Sequence, residues 1–194
     1  MTLVESIGDV GLALRRPEEL VVRFRDRGAQ QPAIFLVLLA SAALGLAAYG
    51  LTLDLNHGAA GLLHGGLRLP LAAGAAFFIA LPALTIVNST LGSKLDWPTT
   101  ALAALTTVTF GALAMLASVP INWFFSLALD YAPIRIATNA VIFAGVGTCM
   151  LDVFVRVMRA LEPDRSPAYA VLWLALMGVI GVELMILLAV FGGQ

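Results

Sequence analysis

The sequence predicts an all-α protein: a polytopic membrane helix bundle of five transmembrane helices, preceded by a short amphipathic interfacial helix. Three observations carry that reading. The chain is 60% hydrophobic and only 12% charged over 194 residues, with mean hydropathy +0.96, whereas soluble domains carry about 25% charged residues. Too few polar residues are present to cover a soluble surface, so lipid must solvate much of the exterior. The apolar residues are also gathered into long uncharged runs separated by short polar stretches, the pattern of successive membrane spans. Finally, the basic residues fall unevenly on the two sides that alternating spans define.

The first 32 residues read as a cytoplasmic arm and residues 33–194 as the transmembrane domain. Residues 1–31 hold acids, five arginines and no early apolar core, which is not the shape of a cleaved signal. Within the arm, Arg15-Arg16-Pro17-Glu18-Glu19-Leu20 places a proline and two acids where a helix starts. Leu20 and Phe24 are one turn apart, and Glu19 and Arg23 form an i,i+4 pair, so the spacing predicts an amphipathic helix over 17–27 lying at the membrane surface. Gly28-Ala29-Gln30-Gln31-Pro32 breaks it.

The first span is expected over 33–53, where Ser41 with Gly45, and Ala43 with Ala47, offer small residues for close helix approach. The glycine-rich stretch 54–68 reads as an interfacial loop. It holds both histidines, His57 and His64, but their spacing of seven with no third ligand nearby does not make a metal site. The second span covers about 69–91, bent at Pro82. Leu81–Pro98 then forms a helical hairpin, because Asn88, Ser89 and Thr90 run into Gly92 and the polar turn Ser93-Lys94-Leu95-Asp96. The apolar run 99–128 exceeds one crossing of ~20 residues, so Pro120 is expected to divide it. That gives a third span over 99–118 and places Ile121-Asn122-Trp123-Phe124-Phe125 at the interface. Span four is expected over 134–157, with Arg156 and Arg159 on its amphipathic end, and span five over 168–191, after the loop Glu162–Pro167.

Five spans put Arg15, Arg16, Arg23, Arg25, Arg27, Lys94, Arg156, Arg159 and Arg165 on one side and only Arg68 and Arg135 on the other. The positive-inside rule then places the N-terminus in the cytoplasm of a bacterial inner-membrane, multi-pass protein. A net charge of −1 argues against nucleic acid as a partner, and the lone Cys149 cannot form an internal disulfide.

Catalytic signatures are absent: no phosphate-binding glycine loop, no Gly-x-Ser-x-Gly elbow, no His-Glu-x-x-His and no paired cysteines. The expectation is a protein that is not an enzyme, with no cofactor and no metal. Polar groups inside apolar runs are costly and call for explanation. Asn88 and Asp152 are expected to meet as an intramembrane polar cluster, with Arg156 neutralising the carboxylate. Glu183 lies deep within the fifth span and shares a face with Leu172, Leu176, Val179 and Ile186, opposite Gly178 and Gly181. Its expected neighbours within the chain are Asn139 and Arg135, while its second face predicts a homo-oligomer or a complex with another membrane protein.

The arm with Arg15-Arg16-Pro17, the five spans, Leu81-Pro82-Ala83 leading to Asn88 and Leu91-Gly92, and Ser118-Val119-Pro120-Ile121 together resemble bacterial members of the Yip family of small multi-span membrane proteins. The Asp-Leu-Tyr-Gly-Pro segment of eukaryotic Yip proteins has no counterpart here. The resemblance therefore implies a non-enzymatic membrane protein working through partners or lipid, and does not extend to vesicle traffic. Two functions follow as expectations. One is an interaction or scaffold subunit of a membrane complex. The other is a small channel or transporter using Asn88, Asp152 and Glu183.

Overall fold

Helices form wherever the sequence runs apolar without a charged break, and no strand occurs among the described residues. The computed structural model describes residues 11–27, 32–53, 58–128, 131–164, 166 and 168–192. Expectations resting on residues 28–31, 54–57, Arg165 and Pro167 lie outside them. The helices are α1 (Pro17–Arg27), α2 (Pro32–Leu51), α3 (Gly58–Thr90), α4 (Trp97–Ala128), α5 (Ala132–Leu161) and α6 (Ala168–Gly192), and residues 11–15 are also helical. Among the described residues α2, α3, α4 and α5 are long and apolar enough to cross a membrane, and α6 is apolar over the shorter stretch Val171–Leu187. The molecule is thus an all-helical bundle of membrane-spanning character.

Helix α4 is the hub. It is the most buried of the four long helices, and its first half is built of small side chains. Ala101, Ala103, Ala104, Thr106, Thr107 and Thr109 are all buried, so neighbours approach from several directions. Two of these threonine hydroxyls are paired, while the buried Thr106 Oγ1 has no partner. Thr107 donates to the Ala103 carbonyl and Thr109 to the Leu105 carbonyl, and Thr109 also reaches Leu38 O on α2 at 3.1 Å. The spans form a ring in the order α6–α3–α2–α4–α5, with α5 and α6 touching only lightly to close it.

The glycine-rich stretch expected as a loop is instead the first part of α3, which begins at Gly58, ahead of the expected Leu69. Its glycines serve packing. A side chain on Gly50 of α2 would run into the Gly65 carbonyl, and one on Gly66 would come within 2.8 Å of Leu51 Cδ2. Lower on α2, a Cβ at Gly45 would lie 2.6 Å from the Ala112 carbonyl of α4. The Gly45 face therefore packs as expected of small residues, while Ala43 points outward. The expected break at Pro120 does not occur, and α4 continues to Ala128. Proline removes one intrahelical bond, a loss that membrane helices tolerate when the remaining ladder and nearby side chains hold the turn.

At one end of the bundle, called here the near end, the chain is tied off by polar contacts. Gly92 has φ +83°, Ser93 N–H donates to Asn88 O and Gly92 N–H to Ser89 O. This is a Schellman cap, whose left-handed position glycine fills without strain. Ser93 Oγ donates to both Glu162 carboxylate oxygens at 2.9 Å, and Lys94 N–H donates to Oε1 at 3.1 Å. The α3–α4 turn is thereby bound to the end of α5. Helix α1 closes the same end. Leu20, Val21 and Phe24 are buried against α4 and α5, and Arg25 donates to Leu161 O at 3.3 Å. The helix expected over 17–27 thus forms, with Glu19–Arg23 at 3.6 Å. Its apolar face, however, is covered by the bundle, where the sequence reading placed it on lipid.

Candidate functional site

The ring of helices does not fill its own centre. A cavity of about 780 Å³ lies between α3, α4, α5 and α6, touching α2 only at Leu46. Side-chain size explains it. The facing positions are small on several sides: Ala72, Ala73 and Ala76 on α3, Gly111 and Ala112 on α4, Gly147 on α5, and Gly178 and Gly181 on α6. A methyl group added at Gly147 or Gly178 would meet nothing within 4 Å. Helices α3 and α6 are held together beside this space by Trp173, whose Nε1 donates to Ala80 O at 3.0 Å. Trp173 also packs on Phe154 of α5 with ring centroids 5.0 Å apart.

The walls are apolar with one exception. Arg68 of α3 is the single charged residue among those lining the cavity. Its Nη2 donates to Met185 O of α6 at 2.9 Å, while Nε is buried without a partner. The α5 and α6 walls include Phe143, Val182 and Ile186, which are themselves exposed. The cavity therefore opens sideways between those two helices.

A second polar assembly lies toward the far end, among α2, α4 and α5. Tyr49 Oη donates to Asn139 Oδ1 at 2.7 Å, Asn139 Nδ2 donates to Arg135 O at 2.9 Å, Thr52 Oγ1 donates to Tyr49 O at 2.6 Å, and Asn122 Nδ2 donates to Thr52 Oγ1 at 2.7 Å. Tyr49, Thr52 and Asn122 are buried. Each of these donors finds an acceptor on a neighbouring turn or helix, while the buried Asn122 Oδ1 has no partner, and the hydrogen bonds tie the three helices together. Sequence reasoning assigned Asn122 to an interfacial aromatic belt and passed over Tyr49 and Thr52. The available signal was the one used elsewhere, that a polar residue inside an apolar run requires a partner.

The expected intramembrane cluster does not assemble. Asn88 is 2% exposed, and neither its Oδ1 nor its Nδ2 has a hydrogen-bond partner. Asp152 is exposed and receives Arg156 Nε at 3.1 Å, while Arg156 Nη1 also lies 3.6 Å from Glu18 of α1. The two expected partners are kept apart because α3 and α5 are not neighbours in the ring. Asp152 and Arg156 join α5 to α1 at the near end. Nearby, on the exposed face of α1, the Glu19 carboxylate hydrogen-bonds Arg16 and raises its guanidinium pKa above the ordinary value.

Asn139 and Arg135 are not partners of Glu183. Asn139 is engaged by Tyr49 and by the Arg135 carbonyl. Glu183 is exposed on α6 together with Leu172, Leu176, Val179 and Ile186, whereas Gly178 and Gly181 face the cavity. None of Asn88, Asp152 and Glu183 lines the cavity, so the three do not share a path. No group of three or more metal-ligating side chains occurs among the described residues. Comparison with known proteins returns no match among family models, curated proteins or solved structures.

Proposed function

We propose that the chain is a five-span inner-membrane protein with a cytoplasmic N-terminus, acting without catalysis as an interaction subunit of a membrane complex. The observation that carries this reading is Glu183. It sits on an exposed, otherwise apolar face of α6, and no hydrogen bond or ion pair engages it among the described residues. A carboxylate facing hydrocarbon costs about 2.5–3.5 kcal/mol even on insertion scales. A neighbouring membrane helix that offers a donor removes that cost and covers Leu172 and Val179 at the same time. The basic residues gathered at the near end support the orientation. The Yip-like layout points to the same class of protein, one that works through partners.

The companion reading, a channel or transporter through Asn88, Asp152 and Glu183, has less support, since the three sit on separate faces. Native mass spectrometry in mild detergent, on wild type and Glu183→Leu, tests the proposal. Wild type is expected as an oligomer or a complex with a co-purifying membrane protein, and Glu183→Leu as a folded monomer. Wild type and variant both monomeric, with equal stability, would contradict it.

A further inference from the structure

We propose that the cavity between α3, α4, α5 and α6 is a binding site for a long-chain fatty acid, with the acyl chain inside and the carboxylate on Arg68. The inference rests on the cavity and is independent of what α6 meets through Glu183. Three features select this occupant. At about 780 Å³ the volume falls within the range of small-molecule sites, about 300–1,000 Å³. The cavity follows α6 from Leu174 to Ile186, about 18 Å at 1.5 Å per residue, and the α3, α4 and α5 walls for about 10–12 Å. A bent acyl chain fits this space, and it enters through the lateral opening between α5 and α6 without leaving the bilayer.

Charge decides the head group. Arg68 contributes the one formal charge to the lining, and within the chain only its Nη2 is engaged, by Met185 O. A guanidinium with an unfilled donor binds a carboxylate through short, charge-assisted bonds. The same lining argues against a phospholipid, whose ester carbonyls and head-group alcohol need several polar partners. Here one polar side chain serves the whole cavity. A fatty acid has one polar end and nothing else to satisfy.

The test uses the full-length protein in mild detergent with a diazirine-bearing palmitic acid, and maps the photocrosslinks by peptide mass spectrometry. Crosslinks are expected on cavity residues of α5 and α6, and unlabelled palmitate should compete them away. Gly147→Leu, which places a side chain into open space, should abolish labelling in a protein that still purifies as a folded species. Gly178→Leu is the second filling variant. Arg68→Gln should weaken palmitate competition by about tenfold or more and leave competition by hexadecanol unchanged. Labelling that survives both filling variants, or Arg68→Gln affecting acid and alcohol equally, overturns the proposal. So does phosphatidylglycerol competing better than palmitate, which would assign the cavity to a phospholipid.

Discussion

Tyr49 shows how much a single side chain does at the far end. It is fully buried, and its hydroxyl is the one side-chain bond between α2 and Asn139 of α5. Tyr49→Phe keeps the ring against Phe143 but leaves Asn139 Oδ1 without its donor. Hydrogen bonds between membrane helices average about 0.6 kcal/mol and reach about 1.7. A loss within that span is expected, read as a shift in the denaturing-detergent midpoint. Asp152→Asn is the contrasting case. Its partner Arg156 and the carboxylate are both substantially exposed, so the pair contributes about 0–1 kcal/mol, and the variant should unfold almost as wild type does. A large loss at Asp152 with little at Tyr49 would reverse the roles assigned to the two polar groups.

Among the elements, α1 and α3 show where the sequence was legible and where it was not. The boundaries of α1 follow from Pro17, two acids and an apolar stripe, all local signals. What the stripe packs on is not local, and Leu20, Val21 and Phe24 turned out to face α4 and α5. Phe24→Ala therefore removes a core side chain, which also stacks edge-on with Phe35 at 5.6 Å, and is expected to cost about 3 kcal/mol of stability in detergent. A helix resting on lipid would show no such loss once the bilayer is gone, and that outcome would restore the interfacial reading. For α3 the sequence misleads in a definite way. Glycine marks turns and also close helix contacts, and only the position of Gly50 on α2 shows that Gly65 and Gly66 belong to the second kind. Pro120 carries the same ambiguity, since the residues flanking it supply no charge or glycine with which to end α4.

Over the whole molecule, composition and the spacing of apolar runs were enough to establish a helical membrane bundle. They could not foresee the ring order of the helices, because each apolar helix presents several faces of similar character. Asn88 and Asp152 both lie near the near end, which made them plausible partners along the chain. Their separation is a property of the ring alone. The cavity was equally hidden, because it arises where small residues of four helices happen to face one another around Arg68. Topology, in contrast, rests on the distribution of charge, and everything proposed for α6 and for lateral entry into the cavity depends on it. The most direct test is impermeant-maleimide labelling of intact bacterial cells expressing single-cysteine variants in a Cys149→Ser background. With five spans and a cytoplasmic N-terminus, Tyr131→Cys and Gln194→Cys label from outside, while Lys94→Cys and Asp164→Cys label only after permeabilisation. Labelling of Lys94→Cys and Tyr131→Cys from the same side, or Gln194→Cys protected along with Asp164→Cys, would contradict the account.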